Sequence, residues 1–207
     1  RRLFISVLFV CLLSFTVRAQ QGTFRFAQLT DIHLSPNNPN PTEDLLRSIA
    51  QINATDSLDF VLVTGDLTEE GDRATMEKVK SCLDLLKVKY YVALGNHETK
   101  WSDSGCTAFG EIFGGERFDF EHKGFLFLGF NSGPLMRMAY GHVVPQDIRW
   151  MTERMSRYNT GNPRQNNPVI LVTHYPMTEG DVDNWYEVTD AVRPYTFIYR
   201  RPLSPQP

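Results

Sequence analysis

Four short polar clusters carry residue types that bind divalent metals: Asp31-Ile32-His33, Gly65-Asp66, Gly95-Asn96-His97-Glu98 and His174. Carboxylate, imidazole and amide oxygen together suit borderline ions such as manganese, iron or zinc. Asp31 and His33 stand two apart with Ile32 pointing away, so both can reach one ion as the chain leaves a strand. A carboxylate such as Asp66 can bridge two ions. Two ions about 3.5–4 Å apart activate a water and stabilise the oxygens of an in-line phosphoryl displacement. Gly65 and Gly95 permit the sharp turn and close backbone approach that such a site demands. Taken singly, each cluster has a plainer reading, because a strand-end Asp is often a helix cap and a lone His is often only hydrogen-bonded. The information lies in the ordered set.

The clusters need elements to position them, and the hydrophobic pattern supplies these. Phe24 to Thr30 alternates like a strand, Phe60 to Thr64 and Val169 to Thr173 are short apolar runs of strands covered on both faces, and Tyr90 to Leu94 is a further strand. Between them, Leu45, Leu46, Ile49 and Ile52, and then Met76, Val79, Cys82, Leu83 and Leu86, repeat at helical spacing. This strand–helix alternation predicts βαβ units. Later come a hairpin turning at His122-Lys123-Gly124, a helix from Pro145 to Tyr158, a short helix near Glu187 to Val192 and a strand near Tyr195 to Tyr199. All four clusters directly follow strands. Ligand crevices of open α/β sheets lie outside the carboxyl ends of the strands, so the clusters are expected to converge at one edge of one sheet.

Asp31-Ile32-His33, Gly65-Asp66, Gly95-Asn96-His97-Glu98 and the late His174 resemble the calcineurin-like metallophosphoesterases over roughly Phe24 to Val192. The resemblance implies an α/β fold, a central two-sheet β-sandwich flanked by helices, with a dinuclear metal centre at one edge. It implies that Asp31 and His33 bind the first metal, that Asp66 bridges both and acts in catalysis, and that Asn96 and His174 bind the second. His97 would not be a ligand but would contact the phosphoryl group and protonate the leaving oxygen, a task suited to imidazole. The implied cofactors are two divalent ions (Mn, Fe or Zn). The implied activity is hydrolysis of a phosphoric monoester or diester, with a phosphorylated small-molecule or nucleotide-like substrate; the alternative is a non-catalytic exported domain that keeps the fold for binding.

The chain departs from the family at its end. The family's last motif, Gly-His-x-His, adds one ligand to each metal, and at its expected place stands Arg200-Arg201-Pro202-Leu203-Ser204-Pro205. Gly141-His142-Val143-Val144 comes too early and lacks the second histidine. Truncation or a reading-frame error, rather than an evolved loss, is the expectation for this ending, and the chain as written is expected to bind metal weakly and hydrolyse poorly. Purple acid phosphatases place a Tyr, and protein phosphatases an Asp-Arg-Gly, where Glu69-Glu70-Gly71 stands; the stretch looks closer to small phosphodiesterases. Glu69 and Glu70 read as acids ahead of a helix, favourable to its dipole. His142, Asn131 and Trp101 are candidates for the substrate cleft, as is Trp185 in an expected loop, whereas Trp150 reads as core.

Composition narrows the remaining classes. The 207 residues are 42% hydrophobic and 22% charged with net charge −3, ordinary for one globular domain. Arg1 and Arg2, the apolar run Leu3 to Phe15 and Ala19 describe a cleavable signal peptide at 1–19, the run being shorter than the roughly 20 residues of a membrane span. The expected organisation is therefore 1–19 leader, 20–199 phosphoesterase domain and 200–207 irregular tail, with export to the periplasm or outside and no transmembrane segment after cleavage. Without its three leader arginines the domain is acidic, which disfavours broad nucleic-acid binding. Export permits a Cys82–Cys106 disulfide, but the helical position of Cys82 favours a buried free thiol. Asn53-Ala54-Thr55 matches a glycosylation acceptor. Oligomeric state leaves no trace in the pattern.

Overall fold

A computed structural model describes residues 22–135, 138–159, 167–195 and 197–199, so the expected leader and the tail lie outside the described residues. Strands β1 (Phe26–Leu29), β2 (Phe60–Thr64) and β3 (Lys89–Ala93) form a parallel sheet in the order β1-β2-β3. Helices α1 (Asn40–Ala54) and α2 (Arg73–Leu83) make the crossovers. A second sheet has the order β4-β5-β6-β7, from Phe118–His122, Phe125–Gly129, Val169–Val172 and Phe197–Tyr199. Its first pair is antiparallel and the others parallel. Helix α3 (Thr107–Phe113) and a π-helical turn, His97–Trp101, precede β4, while α4 (Pro145–Tyr158) and α5 (Trp185–Val192) surround β6.

Side-chain alternation explains the layering. Val61 and Val63 of β2 face a core shared with Leu45, Ile49, Met76, Val79 and Phe109 of the first three helices. Phe60 and Leu62 face the other way, toward Phe127 of β5 and Val172 of β6. Leu126, Leu128, Val169 and Leu171 in turn meet Met151, Met155 and Val188 of α4 and α5. The result is helices, sheet, sheet, helices, the two-sheet sandwich that the family resemblance implied. Between the sheets runs an aromatic seam: Tyr91 stacks on Phe120 at 3.7 Å, and Phe120 on Phe127 at 4.5 Å. Such pairs add about 0.5–1.5 kcal/mol each beyond the area they bury.

Some local expectations are corrected, while the hairpin and the free thiol of Cys82 stand as expected. Helix α3 and the π-helical turn had no counterpart in the hydrophobic pattern. Trp185 begins α5 and packs on the second core rather than occupying a loop. The hairpin turns on Lys123 and Gly124, both with positive φ (46° and 82°), the tight turn that matches strand twist. Cys82 and Cys106 are free. The Asn53 amide donates to the Leu85 carbonyl (2.8 Å) and accepts from Lys87 N–H (2.8 Å), so it ties α1 to the α2–β3 loop with both its polar atoms.

Candidate metal centre

The loops after β1 and β2 run side by side as a continuation of their strands. Asp31 N–H donates to Gly65 O (3.1 Å), His33 N–H to Asp66 O (3.0 Å), Leu34 N–H to Leu67 O (3.0 Å) and Glu69 N–H to Leu34 O (2.8 Å). Within this ladder Asp31, His33 and Asp66 all adopt positive φ, at 53°, 48° and 51°. Left-handed backbone costs a non-glycine residue of order 1 kcal/mol or more and persists only where surrounding bonds over-determine it. Three such residues in one cluster point to a functional constraint. Gly65 (φ 93°) and Gly95 let the β2 and β3 loops touch: a methyl on Gly65 would lie 2.7 Å from Gly95 Cα and 2.8 Å from His174 Cβ.

Around the Asp66 carboxylate three imidazoles converge. Asp66 Oδ2 lies 3.8 Å from His33 Nε2, 4.0 Å from His97 Nε2 and 3.2 Å from His174 Nε2. Each ring is held from behind by an atom that only accepts: the Glu69 carboxylate on His33 Nδ1 (2.9 Å), the Glu69 carbonyl on His97 Nδ1 (2.6 Å) and the Thr64 carbonyl on His174 Nδ1 (2.8 Å). All three Nδ1 atoms must therefore carry hydrogen, which aims three Nε2 atoms at Asp66. Asp31 Oδ1 stands 3.9 Å from His33 Nε2, and the His33 and His97 rings meet edge to face at 4.7 Å. Two donor groups result, His33–Asp66–His97 and Asp31–Asp66–His174, each within 4.8 Å and sharing Asp66. This division differs from the one the resemblance implies, where Asp31 goes with His33. Asn96 begins the π-helical turn half-buried and makes no side-chain cap, so its amide is not committed there.

Burial is the largest influence on both Asp66 and His174, pushing the carboxyl up and the imidazolium down. Their mutual hydrogen bond and attraction, with the His97 N–H on Asp66 and the Thr64 carbonyl on His174, outweigh it. Asp66 accordingly lies below the ordinary carboxylate value and His174 above the ordinary imidazole one. An ionised carboxylate surrounded by imidazoles with fixed tautomers is a donor set that fits divalent ions.

One correction concerns the sheet edge. β1, β2 and β3 deliver Asp31, His33, Asp66, Asn96 and His97, but His174 follows β6 of the second sheet. The site therefore straddles the sandwich. It is not built on one sheet, because Gly65 lets His174 reach across to Thr64.

Two residues beyond the expected set prove important. Glu98 is fully buried and accepts on Oε1 from Leu67 N–H (2.9 Å), Thr68 N–H (3.1 Å) and Thr68 Oγ1 (3.3 Å), and on Oε2 from Gly95 N–H (2.9 Å). It clamps the loop carrying Asp66 to the loop carrying Asn96 and His97. Its place in Gly-Asn-His-Glu was the available signal. Glu69 does not serve the α2 dipole: the helix is capped by Asp72, which accepts from Thr75 N–H (2.9 Å), and Glu69 turns to His33.

A cleft of about 520 Å³ is lined by Cys106, Glu116, Arg117, Asn131, His142 and Asp147, and by none of the residues of the centre. Asn131 and His142 both line it, with Arg117 paired to Asp147 and His142 Nδ1 2.8 Å from Asp183 Oδ1. The segment Asn131–Gly133 links cleft and centre: Ser132 Oγ accepts from Tyr175 N–H (3.0 Å), next to His174, and Gly133 O accepts from His142 N–H (3.2 Å). Trp101 lies apart from that cleft, exposed at the end of the π-helical turn, its ring 6.4 Å from that of His97. Burial, then the Glu116 carboxylate, pushes the Cys106 thiol up to about 12, which disfavours a nucleophilic or ligating thiolate.

A two-sheet α/β sandwich with paired donor groups at one edge defines a metal-dependent phosphoesterase architecture. The family model for calcineurin-like phosphoesterases matches residues 24–200, and the chain belongs to that family of divalent-metal-dependent phosphoric ester hydrolases. Among curated proteins it is 25% identical over 157 residues to a 3',5'-cyclic-nucleotide phosphodiesterase from Nostoc sp. (strain PCC 7120), covering 72% of this chain and 56% of that protein. It is also 25% identical over 118 residues to the uncharacterised protein YvnB of Bacillus subtilis, covering 49% of this chain and 9% of that one. The chain thus spans about half the length of the first relative and a small part of the second. Among solved structures, a purple acid phosphatase from yellow lupin (Lupinus luteus) seeds aligns with TM-score 0.48 at 14% identity, over 77% of this chain and 32% of that one. A protein of unknown function from Aquifex aeolicus aligns with TM-score 0.37 at 14% identity, over 86% and 89%.

Proposed function

We propose that the protein hydrolyses a small phosphoric diester of the cyclic-nucleotide kind at the Asp66 centre. The observation that carries the hydrolytic reading is the convergence of His33, His97 and His174 Nε2 on Asp66 Oδ2. The diester reading is supported by the name of the Nostoc relative. Asp31 groups with His174 but also lies 3.9 Å from His33, so Asp31, His33 and Asp66 would hold one divalent ion, and Asp66, Asn96 and His174 a second. Bound ions of this kind supply Lewis acidity toward a phosphoryl group and lower the pKa of water. The chain's own residues do the rest. With Nδ1 of His97 committed to the Glu69 carbonyl, any proton it delivers to the leaving oxygen is carried on Nε2, the atom facing Asp66. Glu98 keeps the His97 and Asp66 loops in register, and the cleft beside Asn131 and His142 receives the alcohol side of the ester.

Turnover of 3',5'-cyclic AMP and of aryl phosphate mono- and diesters, with manganese and after chelation, tests this reading. Expected are metal-dependent cleavage of the diesters and loss of at least about 100-fold in Asp66→Asn, in which the carboxylate common to both donor groups becomes an amide. A folded, metal-loaded protein that cleaves only monoesters refutes the diester assignment; if a counterpart extended to carry Gly-His-x-His after Tyr199 also stays folded, loads metal and cleaves no ester, the hydrolase reading is refuted.

A further inference from the structure

Glu69 is placed where one residue can set two histidines. Its carboxylate lies 2.9 Å from His33 Nδ1, and its main-chain carbonyl lies 2.6 Å from His97 Nδ1. That main chain is itself pinned, because Glu69 N–H donates to the Leu34 carbonyl at 2.8 Å, inside the ladder that joins the two loops. The side chain is half-exposed and serves no helix, so removing it leaves the core and the backbone ladder intact.

We propose that Glu69 is the positioning residue of this centre: its carboxylate locks His33 in the tautomer with hydrogen on Nδ1, while its carbonyl independently locks His97 in the same tautomer. Neither acceptor can donate to a neutral ring, so each leaves the Nε2 lone pair directed at the space around Asp66 Oδ2, 3.8 Å from one ring and 4.0 Å from the other. An imidazole free of such a bond favours hydrogen on Nε2 and would present that hydrogen to Asp66 in place of a lone pair. Partners of this type behind a ligating histidine typically change metal affinity about 10- to 100-fold. The division of labour is testable because only one of the two acceptors is a side chain.

The inference rests on the reading of His33 as a metal donor, and its test separates the two. Ring tautomers of the five histidines in the ¹⁵N-labelled full chain, free of metal, are read from two-bond nitrogen–proton spectra. In wild type, His33 and His97 both carry hydrogen on Nδ1. In Glu69→Ala, His33 shifts toward hydrogen on Nε2 while His97 stays as it was, since the carbonyl remains. Zinc titration by calorimetry shows affinity lowered by about 10- to 100-fold in Glu69→Ala. Glu69→Gln, whose amide oxygen still accepts, recovers most of that loss, and Glu70→Ala matches wild type. An unchanged His33 tautomer in Glu69→Ala, zinc affinity within twofold of wild type, or a Gln variant no better than Ala overturns the proposal. A wild-type chain that takes up no zinc refutes the metal centre, and the metal-free tautomer spectra then decide the Glu69 inference alone.

Discussion

Replacing Glu98 by Gln keeps the volume of a fully buried side chain and changes one acceptor oxygen into a donor. All four neighbours of the carboxylate are donors: Leu67 N–H, Thr68 N–H and Thr68 Oγ1 on one oxygen, and Gly95 N–H on the other. Only an acceptor-only group satisfies that set. With its oxygen toward Leu67 and Thr68, the substituted amide would turn its NH₂ against Gly95 N–H; flipped, it would face two backbone donors instead. The better orientation loses one charge-assisted hydrogen bond and strands a buried N–H, which together cost about 2–4 kcal/mol. For a chain of this length that is a fall in Tm of about 5–15 °C. Relief of a buried charge offsets part of this, because burial, followed by the Asp66 charge, holds the Glu98 pKa above its ordinary 4.5.

That raised value also gives the substitution a pH signature. A carboxyl whose pKa is higher folded than unfolded binds more protons in the native state, so it removes stability as pH rises from the unfolded value through the folded one. Urea unfolding of wild type and Glu98→Gln from pH 4 upward is the assay. The cost of the substitution should be largest near the acid end and shrink as pH rises past 4.5, since the wild type alone loses stability there. A Glu98→Gln protein within about 0.5 kcal/mol of wild type at every pH would show that the carboxylate is not the clamp between the Asp66 and His97 loops.

Gly95→Ala should cost about 1–3 kcal/mol in urea unfolding and also weaken zinc binding, because the added methyl overlaps the Asp66 backbone nitrogen and Oδ1; wild-type affinity would contradict that contact. Asp59, tied to Lys123, the Arg25 N–H and His122, has its pKa lowered from 3.8 to about 2, so it contributes stability above pH 3.8 that is lost as pH falls through 2. Discounted for solvent at the exposed Lys123, this is about 1 kcal/mol, and Asp59→Asn should flatten the acid limb by that amount. Zinc affinity should fall as pH drops through the raised His174 pKa, because a ligating imidazole must first lose its proton; a pH-independent affinity between pH 8 and 6 would remove His174 from the donor set.

The strand–helix alternation and the four clusters of candidate metal donors were legible because each is local. Phe60–Thr64 had to be doubly covered, as its uninterrupted apolar run is buried throughout, and Asp31, His33, Asp66 and His174 each leave a strand end. α3 and the π-helical turn were not legible: one is a seven-residue helix without an acidic first turn or a basic last turn, and the other closes around His97 through long-range bonds. The role of Glu69 was misjudged for the same reason. Its distance from a helix is visible in one dimension, but its 2.9 Å approach to His33, thirty-six residues away, is not.

By itself, then, the amino-acid order determined which residues offer metal-donor atoms and that strands must present them, since side-chain chemistry and hydrophobic period are properties of short segments. Tertiary structure decided how the residues are combined. The aromatic seam lays one sheet on the other and brings His174 of the second to Thr64 of the first. Two glycines let the loops touch, and Glu98 and Glu69 fix their spacing and the direction of each ring. These are contacts between segments far apart in the chain, made only when burial of the intervening apolar faces holds the segments together.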